Sequence, residues 1–312
     1  MTSSRIIGLL LIFISNFVFA QKDIYLFSYF TDNGQDGLHF AYSKDGLKWE
    51  SLNEGKSFLK PEIGKDKLMR DPCIIQSPDG TFHMVWTSGW HDQIIGYASS
   101  KDLVNWSEQK AIPVMEHEPT AKNSWAPEVF YDDKKKSYLI FWATTIPKRH
   151  GDIADSEKEK GWNHRIYYTE TTDFKTFSPT KLFFNPDFSA IDASILKDGK
   201  SYYMFIKNEN PNPPQKNIRI IKSNKASLFS VDKVSDPITG KYWAEGPTSI
   251  RIGEYVYVYF DKYIDHKYGA IRSKDLKNWE DISEQVSFPK GLRHGTVFKV
   301  SEKVFSNLSL KN

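Results

Sequence analysis

The sequence predicts an all-β fold, a five-bladed β-propeller. Three observations point there: a motif repeated five times, a strand order that repeats with it, and one strand left over at the C-terminal end. The motif runs from a serine or threonine to an aromatic six residues on, often with Asp two residues after its start. Its copies are SKDGLKW (43–49), SKDLVNW (100–106), TTDFKTF (171–177), SNKASLF (223–229) and SKDLKNW (273–279). Their aromatics are 57, 71, 52 and 50 residues apart, and self-similarity at such a period is the mark of a repeat architecture.

Each copy has a physical reading. The alternating run leading into it (IIGYASS, RIYYTET, YGAIRS) is a half-buried strand. Ser and Asp then bond nearby backbone and close a turn, and the aromatic packs where the next strand begins. The fourth copy lacks the Asp, so the motif is structural. A second strand lies upstream of each motif: IYLFSYF (24–30), FHMVWTS (82–88), SYLIFWATT (137–145), SYYMFIK (201–207) and YVYVYF (255–260). Upstream again, before turns such as SPDG or KDG, lies a third in four repeats: RDPCIIQ (70–76), WAPEVFYD (125–132), IDASILK (191–197) and EGPTSIRI (245–252). The first repeat has none, and RHGTVFKV (293–300) is left over at the end. If the orphan completes the first repeat, the chain ends pair and five four-stranded blades close into a ring with only short edges. Strands at this spacing also build sandwiches, but matched orphan ends argue for the ring. DDKKK (132–136) reads as a solvated hairpin tip, and helix signals are weak throughout.

Composition narrows the function. Of 312 residues, 42 are Lys or Arg and 39 Asp or Glu, with no basic block, which argues against a nucleic-acid partner. Residues 1–20, MTSSRIIGLLLIFISNFVFA, have one positive charge, an apolar core and a small-residue end. They read as a secretory signal peptide ahead of a single domain at 21–312, with a membrane anchor the competing reading. The expected address is the periplasm or the medium, with no membrane contact after cleavage. Cys73 is the one cysteine, so no internal disulfide forms and stability must come from the core.

In a propeller the innermost strand of each blade lines the central channel. The residues that start these strands therefore converge on one funnel: Asp71, Trp125 with Glu128, Asp192, Glu245 and His294. A lone strand-start carboxylate is ordinarily a cap on neighbouring amides. Three at equivalent positions of three blades form a constellation, and crowded like charges raise at least one pKa, as acid/base work needs. Loops on the same face add ligand-like side chains: Trp90 and His91, Trp162 and His164, Lys207 ahead of a Pro-stiffened rim, Trp243, and Lys262 with Tyr263.

The ordered set RDPCII, WAPEVFYD, IDASILKDGKSYYMF, WAEGPTSIRIGEYVYVYF and RHGTVF resembles glycoside hydrolase family 43 over nearly all of the chain after the leader. The resemblance implies a five-bladed ring and hydrolysis, mostly with inversion, of glycans containing arabinose, xylose or galactose. It implies Asp71 as the general base, Glu245 as the general acid, and Asp192 as the residue that tunes the acid and helps place substrate. His294 resembles a histidine found near a water or metal ion. No cofactor is required, and calcium or another cation in the central channel is allowed. Inversion needs acid and base roughly 6.5–9.5 Å apart, a gap that residues of different blades can span. Keeping Glu245 protonated calls for a raised pKa, expected from a nearby Asp192 anion.

The expected activity is an exo-acting α-L-arabinofuranosidase or β-xylosidase on oligosaccharides or polysaccharide side chains, with Arg293 among the substrate contacts. Two other classes stay open: a sugar-binding propeller without turnover, and a phosphorolytic enzyme using Arg70, Lys207 and Arg293 to hold phosphate.

Overall fold

The computed structural model describes residues 23–151 and 161–309. The proposed signal peptide lies outside them. Among the described residues no helix is long and apolar enough to cross a membrane.

Five sheets form the ring. The first contains β1 (Ile24–Tyr29), β2 (His39–Ser43) and β3 (Glu50–Ser51). The second contains β4 (Arg70–Gln76), β5 (Phe82–Thr87), β6 (Ile95–Ser100) and β7 (Lys110–Ile112). The third contains β8 (Trp125–Asp132), β9 (Ser137–Thr145), β10 (His164–Thr171) and β11 (Lys181–Phe184). The fourth contains β12 (Ala190–Asp198), β13 (Ser201–Asn208) and β14 (Asn217–Ser223). The fifth contains β15 (Glu245–Ile252), β16 (Tyr255–Lys262), β17 (Lys267–Ser273) and β18 (Glu280–Asp281). The last strand, β19 (Thr296–Val300), joins the first sheet as its inner edge, with Ser28 opposite Thr296 and Ile24 opposite Val300. The ring closes as the orphan strand predicts.

Two expectations need correction. The fourth blade has three strands, not four; only an isolated bridge between Ile221 and Val234 marks where the outer strand would run. The described residues also end in a helix, α1 (Glu302–Ser309), whose Leu308 is buried and whose Phe305 ring lies 4.8 Å from that of Tyr42.

Period-two alternation builds the core. Along β16, Val256, Val258 and Phe260 pack against blade four, while Tyr257 and Tyr259 pack against blade one. Along β9, Tyr138, Ile140 and Trp142 face blade two, and Leu139, Phe141 and Ala143 face blade four. Each of the five seams holds one apolar cluster. The repeated turn behaves as its chemistry requires. The Ser or Thr oxygen accepts the backbone N–H three residues on, at 2.9 Å from Gly46, 2.8 Å from Leu103, 2.9 Å from Phe174 and 2.8 Å from Leu276.

Candidate active site

Four inner strands carry the same irregularity near their start. Pairing slips between Arg70 and Cys73, Trp125 and Glu128, Ile191 and Ser194, and Glu245 and Thr248. The second residue of each start is left-handed: Asp71 at φ 52°, Ala126 at 46°, Asp192 at 54° and Gly246 at 59°. Neighbouring side chains of a regular strand point to opposite faces; a bulge breaks that rule and lets the first and second residues both look into the channel. The first-position residues Arg70, Trp125, Ile191, Glu245 and Arg293 all line one cavity of about 240 Å³, together with Asp71, Asp192 and His294 from the second position. The fourth-position residues Cys73, Glu128, Ser194, Thr248 and Thr296 line another, of about 380 Å³, further along the channel.

The three carboxylates are therefore not equivalent. Asp71 and Asp192 occupy the left-handed position, whereas Glu245 stands one residue earlier, in line with Arg70 and Arg293. Their surroundings differ accordingly.

Asp71 accepts a hydrogen bond from Thr87 Oγ1 at 2.8 Å and faces His294 Nδ1 at 3.2 Å. Thr87 Oγ1 also accepts the Ala126 N–H at 2.8 Å, tying blade two to blade three behind the carboxylate. Burial pushes the Asp71 pKa up. The His294 hydrogen bond and charge, Arg70 and Thr87 together outweigh it and hold Asp71 below the usual carboxylate range. For His294, burial alone would lower the pKa, but Asp71, with the fields of Asp192 and Glu128, raises it to about 9. Its Nδ1 is thus engaged by the Asp71 carboxylate. Among the described residues no group of three or more His, Cys, Asp or Glu could hold a metal ion.

Asp192 accepts the Gly246 N–H at 3.0 Å, and burial, with Glu245 and Asp71 adding to it, raises its pKa to about 6. Glu245 is gripped by cations, with Lys207 Nζ 2.9 Å from Oε2 and Arg293 Nη2 3.3 Å from Oε1. Burial pushes its pKa up, but Lys207, Arg293 and His294 win and lower it. The expectation of a raised Glu245 pKa is thus corrected for the free protein: the Asp192 anion is outweighed by two ion pairs. Lys207 also contacts Glu209 at 2.5 Å, and Glu209 contacts the buried Lys216 at 2.7 Å. Arg293 Nε contacts Asp261 at 2.5 Å.

Of the expected ligand side chains, Trp90, Trp125, Lys207 and Arg293 line the cavity. His91, Trp162 and His164 do not; they form a stack behind Trp125, with Trp162 4.7 Å and His164 5.2 Å from its ring. His164 is buried and its pKa falls to about 3, so it serves as packing. Trp243 and Lys262 also lie outside the cavity: Trp243 packs on Tyr263, and Lys262 pairs with Asp265 at 3.1 Å over the Tyr242 ring. Glu128 points into the lower channel, where Cys73 Sγ donates to it at 3.3 Å and burial raises its pKa to about 7. Sequence reasoning missed Thr87 and Glu209 as cavity residues and Asp261 as an anchor. Asp261 was legible in principle, since it faces Glu245 directly across the β15–β16 pair. Arg70, considered only for phosphate, lies between the Phe30 and Trp90 rings, 4.7 and 4.5 Å from their centroids, and donates to Asn33 at 2.8 Å.

Comparison with known proteins agrees with this architecture. The chain is 25% identical over 184 residues to an α-L-arabinofuranosidase of Bifidobacterium longum subsp. longum, a match covering 53% of this chain and 17% of the relative. The chain therefore spans about a sixth of that relative's length. Among solved structures, α-L-arabinofuranosidase from Lactobacillus brevis superposes with a TM-score of 0.53 at 17% identity, over 69% of this chain and 72% of the other. Exo-β-1,3-galactanase from Phanerochaete chrysosporium, solved with galactose, gives 0.50 at 14% identity over 74% and 52%. At these identities the solved structures speak to the fold alone. The family model described as a probable glycosyl hydrolase domain matches residues 21–305. With that span matched nearly end to end, the chain belongs to this family, the relatives of glycoside hydrolase family 43.

Proposed function

We propose that the protein is a glycoside hydrolase that removes single sugar units from oligosaccharides with inversion, and that arabinofuranosyl units are its first substrate class. One observation carries the reading: Asp71, Asp192 and Glu245, from three different blades, line a single cavity of about 240 Å³. The named activity of the Bifidobacterium relative supports the sugar class. The apolar leader at 1–20 supports export.

In this mechanism Asp71, kept ionised by His294 and Arg70, takes a proton from water as the water oxygen bonds the anomeric carbon. Glu245 gives a proton to the glycosidic oxygen as its bond to that carbon breaks. Both products leave neutral, and solvent exchanges the two protons back. Glu245 must be protonated when substrate is bound. A sugar covering the cavity excludes water and penalises the buried anion. Asp192 titrates near 6 and interacts with Glu245, so the two carboxyls behave as a pair whose proton can reside on either.

The double ion pair on Glu245 specifically favours a second reading, a sugar-binding propeller without turnover. Phosphorolysis loses support, because Lys207 and Arg293 are already occupied by carboxylates.

The deciding experiment compares wild type with Glu245→Gln on aryl α-L-arabinofuranoside, β-D-xyloside and β-D-galactoside, and on an arabinose-substituted oligosaccharide. The expected result is wild-type cleavage of one sugar class, with the variant's kcat/KM on the oligosaccharide down by about 10²–10⁴-fold and the activated aryl glycoside affected less. Sugar binding by calorimetry without any turnover would replace the hydrolase reading with the binding one.

A further inference from the structure

Lys207, buried near the end of β13, sits between two carboxylates and is bound to them differently. Its Nζ donates an aligned hydrogen bond to Glu245 Oε2 at 2.9 Å. Glu209 Oε2 lies nearer, at 2.5 Å, but out of hydrogen-bond alignment. That oxygen is buried, and among the described residues no donor satisfies it. The lysine thus has a charge contact with Glu209 whose hydrogen bond is still to be made.

Glu209 is held in place to receive it. Residues two apart along an extended chain share a face, which puts Glu209 beside Lys207 on the cavity wall. Its N–H donates to the Ser189 carbonyl at 2.7 Å, and Lys216 Nζ donates to its Oε1 at 2.7 Å. Lys207 can turn instead: an ammonium has three equivalent donors on a flexible stem, and this one lies 4.6 Å from the centroid of the Tyr263 ring. Moving the hydrogen bond from Glu245 to Glu209 needs only rotation of the ammonium, with the backbone unchanged.

The charges around the pair give that exchange a consequence. Glu245 faces the cations Lys207, Arg293 and His294, with Arg70 further off. Its anionic neighbours are Asp192 and Asp261, and burial keeps the nearby Tyr263 and Tyr268 phenols neutral. Lys207 faces Glu209, Glu245, Asp192, Tyr263 and the neutral His164. If Lys207 depended on Glu245 alone, protonating the acid would strip a buried ammonium of its bonded counter-charge, a costly state. Glu209 keeps the ammonium paired whichever form Glu245 takes.

We propose that Glu209 is a positioning residue for the acid: it competes with Glu245 for Lys207 and, by taking the lysine's hydrogen bond, releases Glu245 to pick up a proton from solvent. The inference deepens the hydrolase reading above, and the two can fail separately.

The test uses the whole chain as wild type, Glu209→Gln, Lys207→Met and the double variant. Two readouts follow the Glu245 proton. One is the alkaline limb of kcat/KM on an arabinose-substituted oligosaccharide. The other is the NMR titration of the Glu245 carboxyl carbon, identified by its loss in Glu245→Gln. Glu209→Gln leaves the lysine to Glu245, so both should move to lower pH by about one unit. In the Lys207→Met background the same substitution should move neither. A limb and a resonance that stay put in Glu209→Gln overturn the proposal. So does an equal shift in both backgrounds, which is the direct field of Glu209 with no part for the lysine. If Glu209→Gln does not fold, Glu209→Asp keeps the charge and withdraws it from Lys207; a smaller shift in the same direction is expected, and none overturns the proposal. If wild type turns nothing over while the resonance moves as expected, the hydrolase reading falls and the lysine exchange stands.

Discussion

Lys207 Nζ lies 2.9 Å from Glu245 Oε2 on a lysine side chain only 3% exposed, so the proposed proton donor is held against a buried cation. In the free protein this pair favours ionised Glu245, the opposite of what proton donation requires. The same geometry makes the acid's pKa adjustable from a neighbouring blade.

Lys207→Met removes the largest of the three cationic influences on Glu245. The Glu245 pKa then rises, because the remaining burial favours the neutral acid. If protonated Glu245 is required, the alkaline limb of kcat/KM moves to higher pH. A pH series on an oligosaccharide reads this directly, and an unmoved limb would remove Glu245 from the acid role.

Gly246→Ala introduces a Cβ at φ 59°, about 2.4 Å from His294 Cγ. Left-handed strain and the clash together should cost about 1–3 kcal/mol. Thermal unfolding checks the stability loss, and kcat should drop as well, since His294 is pushed against Asp71. A variant with wild-type melting and turnover would show that Gly246 is not needed for this approach.

Glu128→Gln tests the lower channel. The folded pKa of Glu128, about 7, lies above its ordinary value of 4.5. A raised carboxyl contributes stability that is fully present below about 4.5 and lost as pH rises through 7. The glutamine variant has no such loss, so wild type should fall behind it by up to about 3 kcal/mol between pH 4.5 and 8. Urea unfolding of both proteins across that range is the measurement; a pH-independent difference would contradict the buried titration.

The ring and the cavity were legible because both depend on repetition. Aligned, the starts RDPC, WAPE, IDAS, EGPT and RHGT give the blade order, the closing strand and the channel-lining positions. What escaped depends on contacts between blades. Lys207 reaches Glu245 from a second strand of the preceding blade, and no spacing in the chain announces that pair. The sequence groups Glu128 with Trp125 in one funnel as a substrate-binding residue, but it stands three residues into the strand and the bulge at Ala126 changes the alternation and sends it down the channel. The fourth blade's missing strand had a trace in SNKASLF, where the Asp is absent, while α1 gave too short a pattern to register.

The pairing of β1 with β19 also bears on how the protein comes into being. Ser28 and Thr296 stand opposite each other across 268 residues of chain, and Ser28 Oγ donates to the Pro72 carbonyl at 2.7 Å, so the first blade is anchored to the second as well as to the last. Contacts this distant in sequence are slow to form, because a long loop must close before they reward it. Arg293 and His294 stand immediately ahead of the strand that makes them. On a ribosome, a chain arrested before residue 293 folds blades two to five around their own seams yet lacks Arg293, which pairs with Glu245, and His294, which pairs with Asp71. The chemistry is thus assembled last, by the event that shuts the circle, and unfinished or C-terminally clipped molecules should be catalytically silent before they are visibly unfolded.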